Sequence, residues 1–135
     1  PKNMLITLGT IVIIMSLWGM THGDEWAEIG WGEGNVLAHD EAYEEMWALH
    51  LMPLGVMAII TALIVTGKEL AKIAMFAPIV LVNMLGGMLI LTSDNGYGGT
   101  PTGVSAALAG LMMLATILTC ASGFMHKGDT EESGD

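Results

Sequence analysis

Four apolar segments, each about the length needed to cross a lipid bilayer, leave this chain little choice of fold. They cover residues 4–20, 46–67, 70–92 and 103–124. A helix of about 20 apolar residues spans a hydrocarbon core of ~30 Å, and it satisfies its own backbone hydrogen bonds in lipid. The segments therefore predict an all-α polytopic membrane protein. We expect a single membrane domain of four transmembrane helices in an antiparallel bundle.

The composition supports a membrane protein and argues against a protein that binds nucleic acid. Of 135 residues, 53% are hydrophobic and 13% are charged, and the mean hydropathy of +0.60 is too high for a soluble domain. The net charge is −10 and the chain contains no arginine, the side chain that forms bidentate hydrogen bonds with phosphate. Nucleic acid is therefore not an expected partner, whereas the lipid bilayer is.

Charge is distributed unevenly between the ends of the four segments. The loop 21–45 carries eight carboxylates and no lysine. All the lysines fall at the opposite ends of the segments, if all four cross: Lys2, Lys68, Lys72 and Lys127. Short lysine-bearing loops stay in the cytoplasm. We therefore expect both termini to be cytoplasmic, with the acidic loop and residues 93–102 on the extracytoplasmic side.

The connections between the segments have their own local signals. Residues 4–20 resemble a signal peptide but lack a small-x-small cleavage pattern, so we interpret them as a span. Glycines 30, 32 and 34 predict a turn in the acidic loop, and Ala38–Glu45 has the composition of a helix that continues into the second span. Pro78 is expected to interrupt the third span. The tail 126–135 is predicted to be disordered.

The acidic loop and the beginning of the second span hold the strongest candidates for a metal site. Histidine and carboxylate are ligands for zinc and copper, and the topology brings His22 near His50, with Glu44 and Glu45 close in sequence. No H-x-x-x-H or H-E-x-x-H spacing is present, so a solvated acidic loop with incidental histidines is the simpler interpretation. A haem held by the two histidines is a further alternative, which the position of both near the interface makes less favourable.

Two groups of small or polar residues predict where helices pack. Small side chains allow close backbone approach in lipid, and a buried amide forms an interhelical hydrogen bond. The fourth segment carries one group and the third carries the other: Gly103, Ala106, Ala107 and Gly110, then Asn83, Gly86 and Gly87. No Asp, Glu, Lys or Arg lies in the middle of any segment, which argues against a proton-coupled transporter and makes a small channel or transporter the least favoured hypothesis.

The layout resembles that of the small four-helix DoxX-like membrane proteins. The similarity lies in a short first span that ends in Trp18–Gly23 (WGMTHG), a Trp-bearing loop, Glu44–Met46 before a span containing Leu54–Val56, and then a tight hairpin. The resemblance implies an accessory subunit of a quinone-linked oxidoreductase.

These observations favour one function and leave others open. We expect a non-catalytic accessory or assembly subunit of a larger membrane complex, or a homo-oligomer, with other membrane subunits or further copies as partners. The alternative is a metal- or haem-binding subunit of a membrane oxidoreductase. Zinc or copper would be the metal.

Overall fold

A computed structural model describes residues 1–128 of the chain, and over that range the chain is helical with no strand. Six helices follow one another: α1 (Lys2–Thr21), α2 (Gly23–Trp31), α3 (Asp40–Ile64), α4 (Gly67–Met75), α5 (Ala77–Thr92) and α6 (Gly103–His126). Four stretches are long and apolar enough to cross a membrane, namely α1, α3, α4 together with α5, and α6. His126 closes α6 instead of opening a tail, and residues 129–135 lie outside the described residues.

The acidic loop contains a helix that the sequence analysis did not predict. α2 runs through Gly30, and the predicted turn begins only at Gly32, whose φ of 85° favours glycine. Asp24 and Glu25 occupy its first turn, where carboxylates interact favourably with the helix dipole. α2 packs on α3, so tertiary contacts stabilise a nine-residue helix that would be marginal alone.

The closest helix pair is α1 with α3, and glycines make the approach possible. A Cβ added at Gly55 would lie 2.6 Å from the carbonyl oxygen of Gly9, and one added at Gly9 would lie 2.6 Å from that of Gly55. Near the start of α2, a Cβ on Gly19 would lie 2.6 Å from the Cβ of Ala48. These are close helix crossings of the kind that small residues permit in membranes.

The third apolar stretch is broken between α4 and α5. The interruption falls at Phe76, two residues before Pro78, which has no N–H to continue the backbone ladder. The Cys120 thiol of α6 donates to the carbonyl of Met75 at 3.3 Å and so pairs one carbonyl at the break. α4 packs closely on α6, where an added Cβ at Gly123 would lie 2.6 Å from the carbonyl oxygen of Ala71.

The buried core lies where α1, α3, α4 and α6 meet. It consists of Leu5, Leu8, Ala62, Leu70, Met112 and Ala115. α5 contributes no buried residue and packs mainly on α6. An apolar gap of about 390 Å³ separates it from α3, with side chains such as Leu54, Met57 and Val80 along its walls. The third stretch is therefore the least enclosed of the four.

Candidate functional site at the acidic end

The polar groups of the molecule gather at two ends, which we name by their charge. The acidic end comprises α2, residues 32–45, residues 93–102 and the start of α6. The lysine end comprises residues 1–4, 65–72 and 122–127. At the acidic end α2 lies so close to α3 that a Cβ on Gly23 would be 2.7 Å from the carbonyl oxygen of Glu41 and 2.6 Å from Cγ of Glu45.

Tyr97 links residues 93–102 to both α2 and α3. Its hydroxyl donates to Glu44 Oε1 at 2.6 Å, and its ring packs on Gly30 and against the edge of Trp31, with centroids 5.0 Å apart. The backbone adds a further bond, from the Gly98 N–H to the Gly30 carbonyl at 2.7 Å. Burial, with the hydrogen bond to Glu44 and its charge, raises the pKa of the Tyr97 phenol. The phenol therefore remains a donor at neutral pH.

Two carboxylates of α3 are buried at this end and are held by donors. Asp40 and Glu44 are 5% and 6% exposed and lie one helical turn apart. Asp40 Oδ2 accepts from the Leu37 N–H at 2.7 Å, while Glu44 accepts from Tyr97. A buried carboxylate without a donor is strongly unfavourable, so each of these bonds stabilises the arrangement.

A second set of side-chain hydrogen bonds connects α2 to α6. The Trp26 indole N–H donates to Ser105 Oγ at 3.2 Å, and the Ser105 hydroxyl donates to Glu25 Oε1 at 2.7 Å. Ser105 is buried near the beginning of α6. Together with the Tyr97 contact, these hydrogen bonds connect α2 with α3 and α6. We call the resulting arrangement the acidic cap.

The structure gives three of the four predicted metal ligands a polar contact of their own. The His22 ring stacks on Trp18 with centroids 3.6 Å apart, and its Nδ1 lies 3.1 Å from the Trp18 carbonyl oxygen. His50 Nδ1 bonds to the Met46 carbonyl within α3. Glu44 is engaged by Tyr97, and Glu45 lies against Gly23.

The positions of these side chains decide whether several of them could bind one metal ion. Within residues 1–128, no three His, Cys, Asp or Glu side chains are grouped closely enough to hold an ion. The zinc or copper site and the haem at His22 and His50 stay predictions. The arrangement that the structure does form is a network of hydrogen bonds between carboxylates, Tyr97, Trp26 and Ser105.

The predicted packing residues lie on open surfaces of this chain. An added Cβ at Gly86, Gly87, Gly103 or Gly110 would meet no atom within 4 Å in the described residues. Asn83 is exposed, and within residues 1–128 its amide makes no hydrogen bond. Ala107 is exposed and Ala106 is half-buried. The close approach predicted at these glycines and the hydrogen bond predicted for Asn83 are thus not made within residues 1–128, and they stay predictions for a contact with another chain.

The residues that do bring helices together were not singled out by the sequence. They are Gly9, Gly19, Gly55 and Gly123. The available signal was a lone glycine in an otherwise apolar span, which in membranes often marks close helix approach. The predicted topology puts residues 93–102, which include Tyr97, on the same side as the acidic loop, and the structure places the Tyr97 ring against Trp31.

No protein family, curated protein or solved structure matches this chain.

Proposed function

We propose that the chain is a four-span integral membrane protein that acts as a non-catalytic subunit and associates with a further transmembrane helix through α5. In this proposal the four spans form an antiparallel bundle, with the lysine end cytoplasmic and the acidic end extracytoplasmic. The DoxX-like layout described above points the same way, to an accessory role beside other membrane subunits.

The observation that supports this proposal is the polar, open face of α5. Asn83, Gly86 and Gly87 follow one another at the three- and four-residue spacing that places them on one helix face. In the α4–α5 stretch 6% of the most apolar part is buried, against 22% to 28% in the other three stretches. An amide without a partner is unfavourable in hydrocarbon, and a neighbouring helix supplies one.

The glycines give the same face its shape. With nothing within 4 Å of an added Cβ at Gly86 or Gly87, a second helix has room to approach the α5 backbone. Close approach brings polar groups of that helix within reach of Asn83. Gly103 and Gly110 leave similar open space on α6. The partner is a second copy of this chain or another membrane subunit.

A leucine placed at Gly87 should separate the partners without changing the fold of the single chain. The wild-type chain is expected to be recovered from membranes as a complex by crosslinking and native mass spectrometry. Gly87→Leu should weaken that complex by about fivefold or more, since overpacking an interface costs ~1–3 kcal/mol. The masses in the complex distinguish a homo-oligomer from a complex with other subunits.

Leu63→Phe is the matched control for that experiment. Leu63 is 58% exposed on α3, outside the α5 face of Asn83, Gly86 and Gly87, so a larger side chain there should leave the complex intact. A wild-type chain that is always recovered alone would contradict the proposal. So would a Gly87→Leu variant that associates as well as the wild type.

A further inference from the structure

A second cavity lies at the lysine end, at the opposite ends of the helices from the acidic cap. Its volume is about 430 Å³, and it forms where the start of α1, the junction of α3 with α4, and the end of α6 meet. Its wall combines polar and apolar side chains. The polar ones are Lys2, Asn3, Thr66, Ser122 and His126, and the apolar ones include Met4, Val65 and Leu70.

Ser122 is a largely buried residue whose hydroxyl lines this wall and has no hydrogen-bond partner in residues 1–128. It is 7% exposed, and within residues 1–128 its hydroxyl makes no hydrogen bond, although nearby Thr116 and Thr119 both donate to carbonyls of α6. In residues 1–128 the fully buried polar side-chain atom without a partner is Trp18 Nε1, so the Ser122 oxygen is accessible from the cavity that this residue lines. A donor held in a cavity wall in this way is available to a ligand that accepts hydrogen bonds.

His126 is oriented by its own helix. Its Nδ1 lies 2.8 Å from the Ser122 carbonyl oxygen, and because a carbonyl only accepts, Nδ1 carries the proton. Nε2 is thus left for a partner in the cavity and, in this tautomer, accepts a hydrogen bond. Lys2, which is exposed in the same wall, adds an ammonium group.

The beginning of α4 adds backbone donors. Thr66 precedes this nine-residue helix and its side chain makes no capping hydrogen bond. The first N–H groups of a helix have no intrahelical acceptor, and the helix dipole makes that end attractive to anions. Glu69, the acidic residue of the first turn, forms an ion pair with Lys72, with 2.8 Å between Oε1 and Nζ. Hydroxyl, ammonium and backbone donors therefore line one cavity, with the His126 imidazole beside them.

We propose that this cavity binds the phosphate group of an anionic membrane lipid. Phosphate accepts several hydrogen bonds at once and carries the negative charge that these donors require. The apolar side chains of Met4, Val65 and Leu70 beside the donors suit the glycerol and upper acyl region of a lipid better than a free ion. This inference rests on the membrane insertion proposed above, but not on the partner of α5.

The test is a lipid titration of the full chain in bilayer nanodiscs. In phosphatidylcholine discs, increasing amounts of phosphatidylglycerol should raise the thermal unfolding midpoint with saturation, since a ligand that binds only the folded state stabilises it. Lys2→Gln should weaken the apparent affinity by about fivefold, the usual effect of one lysine near a membrane surface. Ser122→Ala should weaken it without changing the net charge.

Lys127→Gln is the matched control, because it removes the same charge at the same end of the molecule. Lys127 Nζ lies 5.4 Å from the centroid of the Phe124 ring, and this residue does not line the cavity. The variant should therefore retain the saturable effect of phosphatidylglycerol. Circular dichroism of each variant establishes that it is folded before the titration.

Three outcomes would overturn the proposal. One is equal stabilisation by phosphatidylcholine and phosphatidylglycerol. Another is an equal loss of affinity in Lys127→Gln and Lys2→Gln. The third is saturation by inorganic phosphate at the concentration at which the lipid acts, which would assign the site to the free anion. Failure of membrane insertion is distinguished beforehand, because the chain would then not remain in alkali-washed membranes.

Discussion

Gly55→Ala is expected to destabilise the chain by about 1–3 kcal/mol, the usual cost of overpacking a tightly packed contact. The new methyl group would lie 2.6 Å from the Gly9 carbonyl oxygen and 2.7 Å from Cγ1 of Ile13. The first of these neighbours is helix backbone, which moves only if α1 moves as a whole. Because α1 also packs on α6, displacing α1 should disturb the core as well.

Gly87→Ala is the control, since it is the same substitution inside an apolar helix. An added Cβ at Gly87 meets nothing within 4 Å in the described residues, and alanine favours a helix over glycine by about 0.5–1 kcal/mol. For the single chain separated from any partner of α5, the free energy of unfolding in a detergent series should therefore be lower in Gly55→Ala than in the wild type, and equal or higher in Gly87→Ala. Equal stability of the two variants would show that α1 and α3 do not cross closely at Gly9 and Gly55.

Tyr97→Phe is expected to release the 93–102 connection from α2 and α3, at a cost of about 1–3 kcal/mol. The substitution removes only the hydroxyl that donates to Glu44 at 2.6 Å and keeps the ring against Trp31. Glu44, which is 6% exposed, would then lack its donor one turn from the equally buried Asp40. Hydrogen exchange of amides 93–102, including the Gly98 N–H, should become faster.

Tyr43→Phe removes the same hydroxyl from the same end of the molecule. Tyr43 is 61% exposed on α3, and its ring contacts His39 edge-on. Its stability and its exchange in residues 93–102 should match those of the wild type. An equal change in both variants would mean that the Tyr97 to Glu44 bond does not hold the acidic end together.

The helices of this chain were largely predictable from the sequence, because they follow from apolar length. The four predicted segments lie almost entirely within the helices, and the break before Pro78 follows from its missing N–H. α2 was missed because three glycines near its end indicate a turn, whereas its helical form depends on contacts with α3. Those contacts join residues distant in sequence and leave no local pattern.

The sites were much less predictable, for a related reason. Composition alone marked the acidic loop, but the donors that make buried Glu44 tolerable come from Tyr97, 53 residues away in sequence. Likewise Ser105 reaches Glu25 across 80 residues. The predicted histidines instead bond to carbonyls of residues four positions earlier, a local alternative that is open to a histidine in a helix because a carbonyl oxygen has two lone pairs.

The central claim is that the acidic and lysine ends lie on opposite sides of a membrane, and cysteine labelling in intact cells tests it most directly. In a Cys120→Ala background, single cysteines at Glu33 and Asp94 report on the acidic end and one at Lys68 reports on the lysine end. All three positions are exposed, and none has the positive φ of Gly34 or Gly98. We predict that an impermeant maleimide labels Glu33→Cys and Asp94→Cys from outside and reaches Lys68→Cys only after lysis. Labelling of all three from outside, or of Lys68→Cys alone, would contradict the account.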